Sequence, residues 1–243
     1  MTGPRPTIRA VIDGADISRT QVQAWERRRM AKASRRIGLT VPDGDLESAR
    51  LDFAQAKLDL GATEIRRRLR RALAVSDPVG RATAAAARGG RVTSTCDLHV
   101  AGGDASTFVS WFTDDTRLDY EHSMISANPD HFLIATAPDG RQEVIETTGG
   151  SPLPTRFFVD YEDHSSLRTP TDRAFSTEAA GVARSANGMA IGGVRHQFRD
   201  TDEGFHARLT VEFPSTMLRS MVLEHRWHLA VEFSNWVHLA FAR

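Results

Sequence analysis

The stretch SMVLEHRWHLAVEFSNWVHLAFA, residues 220–242, runs for more than twenty residues without proline or glycine. Met221, Leu229, Val231, Phe233, Trp236 and Val237 put apolar bulk around much of each turn, which predicts a mostly buried helix. Such a helix needs a surface to lie in, and the preceding residues supply one. HFLIATA (131–137), QEVIETT (142–148), TRFFVDYE (155–162), GMAIGGVRHQFRD (188–200) and GFHARLTVEF (204–213) are rich in β-branched and aromatic residues and read as strands. PDGR (138–141) and TDEG (201–204) read as the turns of two hairpins. In the last strand Phe205, Ala207, Leu209 and Val211 point one way, with His206, Arg208, Thr210 and Glu212 opposite. RVTSTCDLHV (91–100) reads as a further strand or extended segment, and STFVSWF (106–112) as a helix turn or a strand. The fold class expected is α+β, a helix-grip. Residues 128–213 give most of an antiparallel sheet, which wraps one long helix over 216–240 and leaves a cavity suited to an apolar ligand.

Residues 1–90 have a different composition. They hold 18 basic and 10 acidic side chains, whereas residues 91–243 hold 13 and 21, so a neutral chain divides into halves of net +8 and −8. With the shift at ATAAAARGG (82–90), this places a boundary near 90: a basic, mainly helical region 1–90 and a helix-grip domain 91–243. Ser18 or Thr20 is placed to cap a first helix that ends at Gly38, and Asp45 a second. Gly61 should interrupt the second helix and DPVG (77–80) should stop the segment that follows. Arg66, Arg67, Arg68, Arg70 and Arg71 read first as a solvated face whose stems cover apolar surface.

The balanced charge argues against a uniformly basic nucleic-acid binder. One cysteine, Cys96, excludes an internal disulfide and a multi-cysteine zinc ribbon. No apolar run reaches the length of a membrane span, and the N-terminal MTGPRPTIRAVIDGAD lacks the apolar core of a secretory signal. The location expected is therefore cytoplasmic.

His228 and Glu232 lie one helical turn apart, the spacing at which two side chains chelate one ion. The same spacing also suits plain pairing of His228 with Glu232 or Glu224. His131 opens a strand after ANPD, and Glu146 sits on its expected hairpin partner; two imidazoles and two carboxylates suit zinc or another divalent cation. Glu143 takes the place of Glu146 if the register shifts by one. HLAVE lacks the glutamate of HExxH, which argues against a zincin protease, and GxSxG does not occur.

Taken in order, four segments resemble the 2,4-diacetylphloroglucinol hydrolase family. HLAVEFSNW (228–236) resembles its closing motif and VRHQFRDTDEGFHARLTVEF (194–213) its strand pair. NPDHF (128–132) is similar to its Pro-acid-His segment, and EVIETTGG (143–150) to the stretch carrying its metal-binding glutamate. The resemblance, over roughly residues 106–240, implies a START-like or Bet v 1-like domain. It also implies Zn2+ held by His131, Glu146, His228 and Glu232, and hydrolysis of a carbon–carbon bond joining an acyl group to a phenolic ring. The chain departs from the family at YEHSMISANPDH, where Ser123 stands in place of a tyrosine that holds the substrate carbonyl. Tyr120 and His122 are its nearest substitutes.

Hydrolysis of an aryl ketone needs an acid at the departing ring carbon, and His122, Glu143 and His225 are the candidates. Tyr120, Phe132, Phe158 and Trp227 are candidate substrate contacts, with Phe157 and Phe233 also available, since a small aromatic or polyketide-like substrate needs apolar walls. Two other readings stand beside this one. A non-catalytic helix-grip protein would bind the same ligand without a metal. Alternatively, region 1–90 would bind nucleic acid, with the second region as a ligand sensor. The sequence leaves a homodimer open.

Overall fold

The computed structural model describes residues 5–137 and 139–242. The chain is α+β, with five α-helices and one nine-stranded antiparallel sheet among the described residues. Strand β1 (Thr7–Ile12) and the short β2 (Ala15–Ile17) precede helices α1 (Arg19–Ile37) and α2 (Leu46–Ala87). Then come β3 (Arg91–Ala101), α3 (Ala105–Thr113) and α4 (Tyr120–Ser126). Strands β4 (His131–Thr136) and β5 (Gln142–Glu146) lead into a 3-10 turn at Thr148–Gly150. Strands β6 (Thr155–Asp160), β7 (Thr177–Arg184), β8 (Ala190–Thr201) and β9 (Gly204–Pro214) and helix α5 (Arg219–Ala240) complete the chain. The strand order is β2-β1-β3-β9-β8-β7-β6-β5-β4.

Both expected hairpins form, β4 with β5 and β8 with β9. Pro138 of the first turn lies outside the described residues, as do the first four residues of the N-terminal segment read for a signal. Helix α5 is a single 22-residue element. Its buried Leu229, Val231, Phe233 and Val237 join Leu98, Phe198, Phe205, Ala207 and Leu209 of the sheet in one core. STFVSWF, open between helix and strand, is helical, with Phe108 fully buried against Phe198 and Phe233.

Helix α1 starts where Ser18 accepts from the Gln21 amide while the Gln21 side chain accepts from the Ser18 amide, and Gly38 ends it in the left-handed region. Asp45 caps α2, and Gly61, at φ 75° and ψ 154°, breaks it internally. One reading fails here. The helix continues through Pro78 to Ala87 rather than stopping at residues 77–80, and the alanine run that follows is the strongest local helix former. Within the mainly helical first region, Thr7–Ile12 and Ala15–Ile17 are strands, and β1 pairs with β3, so backbone hydrogen bonds cross the composition shift near residue 90. Strand β7 arises from a stretch with no clear alternation.

The packing of α1 and α2 bears on the site. Met30, Ala33 and Ile37 of α1 and Phe53, Ile65, Leu69 and Leu73 of α2 pack with Phe132, Leu133 and Ile145. The two helices thus cover one face of the β4–β5 hairpin, while Ile134 and Val144 belong to the core that holds α5 on the other.

Candidate metal centre

Strand β4 carries a β-bulge between His131 and Leu133. Under strict alternation His131 would share a face with Leu133 and oppose Ile134. The extra residue, Phe132, resets that alternation. His131 therefore faces inward with Ile134, while Phe132 and Leu133 pack under α1 and α2. Strand β5 alternates regularly, so Gln142, Val144 and Glu146 line the inner cavity and Glu143 and Ile145 face out.

Inside, four side chains converge. His131 Nε2 lies 3.2 Å from His228 Nε2 and 3.0 Å from Glu232 Oε2. His228 Nε2 is 3.3 Å from Glu232 Oε2, and Glu146 Oε2 is 3.6 Å from the first histidine and 3.7 Å from the second. Nitrogen and oxygen donors held tetrahedrally at about 2.0–2.2 Å from one ion are separated by roughly 3.3–3.6 Å; the His131, Glu146 and His228 donors lie close to that spacing, with Glu232 against both histidines. His131, Glu146 and His228 alone form a buried group able to hold a metal. The donor chemistry fits as well. The Met124 carbonyl, 3.0 Å from His131 Nδ1, makes that nitrogen the donor and leaves the Nε2 lone pair aimed at the cluster, the usual support of a metal-bound imidazole. Thr148 Oγ1 donates to Glu146 Oε1 and fixes the free edge of that carboxylate.

The electrostatics follow from burial. Desolvation acts to depress the His228 imidazole, but Glu232 and Glu146 override it and raise it to about 9. Desolvation acts to raise Glu232, yet His228 and His131 hold it far below the carboxylate range. Two buried carboxylates thus draw positive charge to one point, which a divalent cation also supplies.

The backbone of this site is held from behind. Arg29 of α1 grips Asp130 with two bonds of 2.6 and 2.8 Å, both groups buried. Lys57 of α2 donates to the carbonyls of Pro129 and His131. Burial pushes Lys57 down to about 7, against the opposing charge of Asp130. Gly149, at φ +53°, brings the 3-10 turn onto α5: a Cβ there would lie 2.3 Å from the Met221 carbonyl oxygen.

Beside the cluster lies a cavity of about 160 Å³ with walls that include Met124, Ile134, Val144, Phe157, Val194 and Val211. An apolar cavity of about this size holds a benzene ring. Of the candidate acids, only His225 reaches it; its Nδ1 is 3.2 Å from Ser94 Oγ, and burial pushes the imidazole well below its ordinary value. His122 sits half-buried on α4, outside the cavity lining. Glu143 is turned to the outer face, where Arg66 and Arg156 bind it, and so serves neither as acid nor as the alternative ligand. Burial acts to raise its carboxyl, but the Arg66 hydrogen bond and the charges of Arg156 and Arg66 hold it below the usual range.

The aromatic candidates also shift. Phe157, not Phe158, lines the cavity; Phe158 lies under Arg141 and Arg156. Phe132 is turned outward by the bulge, and Trp227 packs on the core outside the cavity lining. Tyr120 is buried beside the cavity, and its hydroxyl accepts from Gln142 Nε2 at 2.7 Å. Ser123 donates to Asp119 rather than facing a ligand. The sequence reading missed His196, Gln142 and Tyr161 in the lining. Alternation along β8 carries the signal for His196, since Val194 shares its face.

Of the arginines at 66–71, Arg66 binds Glu143 and Arg67 and Arg68 bind Glu64, so these three are engaged within the chain. Among the described residues no helix is long and apolar enough to cross a membrane. Compared with known proteins, the chain matches no family model and no curated sequence.

Proposed function

We propose that the protein is a metal-dependent hydrolase that cleaves the carbon–carbon bond between an acyl group and a phenolic ring. The observation that carries this reading is the convergence of His131, Glu146, His228 and Glu232 at the wall of an apolar cavity sized for one ring. The sheet around α5 is read with it as a helix-grip of the START-like or Bet v 1-like kind, with Zn2+ as the ion these four residues would hold.

Bound there, zinc would act as a Lewis acid toward an acyl oxygen and lower the pKa of water. The reaction adds water across the bond: the acyl carbon gains the oxygen and leaves as a carboxylic acid, and the ring carbon gains a proton. The residues of this chain divide that work. Phe157, Val144 and Val194 take the ring out of water. Gln142, bonded to Tyr120, and Tyr161 offer polar contacts at the cavity wall. His196 and His225 also line the cavity; burial holds both imidazoles below their ordinary range, so each would first take the proton released by water and then pass it to the ring. Phenolic hydroxyls on the ring make its departure feasible by delocalising charge.

The test is metal analysis of the purified protein, followed by acylphloroglucinols and related aryl ketones with carboxylic acid release as readout. Metal-dependent release from an aryl ketone supports the reading; a metal-free protein without turnover removes it. One observation favours a second reading. The two histidines and two glutamates also satisfy one another as ion pairs. A ligand-binding protein would use the same cavity without an ion, and saturable aromatic binding by metal-free protein would identify it.

A further inference from the structure

Away from the cavity, helix α1 carries Arg27, Arg28, Arg29, Lys32, Arg35 and Arg36 within ten residues. Four of them, Arg29, Lys32, Arg35 and Arg36, line a surface concavity closed on its far side by Gly150, Ser151 and Pro152. Among the described residues Lys32, Arg35 and Arg36 have no carboxylate within ion-pair distance, in contrast to Arg66, Arg67 and Arg68 on α2. Arg36 donates only to the Pro152 carbonyl at 2.7 Å, which fixes its guanidinium at the rim with other N–H groups to spare.

Arg29 marks the floor. The residue is 7% exposed, and its Nε and one terminal nitrogen are bound to Asp130. Its other terminal nitrogen, NH1, has no partner and lies next to Gly150, where a Cβ would come within 3.5 Å of it. Glycine at 150, at φ +74°, keeps that approach open. Two carboxylates stand near: Asp130, held by Arg29, and Glu224, whose Oε2 accepts from Trp25 Nε1. Four cations against two carboxylates leave the concavity two positive charges in excess.

We infer that this concavity is a binding site for a compact dianionic oxyanion of the phosphate class, held by Arg29 NH1, Lys32, Arg35 and Arg36. A forked guanidinium pair and an ammonium match the several acceptor oxygens of a phosphate. A dianion also cancels the excess charge. The site shares the Arg29–Asp130 pair with the brace behind the metal centre but none of its donors, and does not rest on the hydrolase reading.

The experiment is calorimetric titration of the full chain with inorganic phosphate and, in parallel, phenyl phosphate, at low salt. The variants are Lys32→Glu, Arg35→Glu and, as a charge-matched control, Arg27→Glu; all three positions are exposed. Saturable one-to-one binding is expected, weakened about tenfold or more by K32E and by R35E, since each removes a charged contact, and nearly unchanged by R27E. Equal affinity for the two probes points to a free anion and tighter phenyl phosphate to a phosphomonoester; both support the site. The proposal is overturned if neither probe binds saturably, or if R27E weakens binding as much as K32E, which would show only a diffuse surface field.

Discussion

The two faces of the β4–β5 hairpin share the same eleven strand residues and differ in what those residues meet. The inner face presents His131 and Glu146 to His228 and Glu232 across a cavity. The outer face presents Phe132, Leu133 and Ile145 to α1 and α2, with Glu143 clamped by Arg66 and Arg156. A single bulge residue decides which side chains go where. The contrast teaches that the basic N-terminal helices act as a brace: hydrophobic packing and ion pairs on the outside fix the position of donors on the inside. Each face should therefore fail in its own way.

The largest effect should come from the inner face. His228→Ala or Glu146→Ala should lower zinc affinity by roughly 100-fold or more, beyond what the loss of a supporting contact costs. The circular dichroism of α5 should persist in His228→Ala, because alanine favours helix. Competition with a chromophoric chelator reads the affinity. On the outer face Phe132→Ala should cost about 3–5 kcal/mol of stability by denaturant unfolding. Because the bulge itself remains, zinc affinity should stay within about tenfold, less than the loss of a ligand. A large loss of zinc there would break the distinction between the faces.

Gly149→Ala probes the turn that follows Glu146. Its Cβ would collide with the Met221 carbonyl, and its positive φ disfavours alanine, so unfolding should become easier by about 1–3 kcal/mol. The smallest effect should come from Glu143. Its folded carboxyl lies below the ordinary 4.5, so its contribution is present above 4.5 and is lost as the pH falls from there through the folded value. Glu143→Gln should therefore flatten the acid limb of the stability profile below pH 4.5 and leave the slope at neutral pH unchanged.

Much of this was legible in the sequence. A proline-free run gave α5, β-branched and aromatic runs between turn signals gave β4, β5, β6 and β8, and alternation gave β9. Of the four expected donors, His131, Glu146 and His228 come together as one buried group, and Glu232, one turn from His228, lies against both histidines. The limits are physical. A bulge has no local signature, so Phe132 reads as a wall residue and packs outside. Neighbouring phenylalanines at 157 and 158 face opposite ways, and only the register assigns them. Glu143 reads as a functional acid until Arg66 and Arg156, 77 and 13 residues away, are seen to bind it. Pro78 reads as a stop, yet the alanines behind it carry the helix on. Strands β1 and β2 form a tight hairpin across Asp13 and Gly14, both at positive φ, a local turn signal that the helical reading of this region leaves unused; only the pairing of β1 with β3 joins distant segments.

The central claim is that His131, Glu146, His228 and Glu232 form one metal centre. The most direct measurement is the zinc-to-protein ratio after zinc loading and gel filtration, for the wild-type chain and a His131→Ala, His228→Ala double variant. The account predicts one zinc per wild-type chain and none retained by the double variant with its fold intact. A wild-type chain that retains no zinc, or a double variant that retains as much as the wild type, would contradict it.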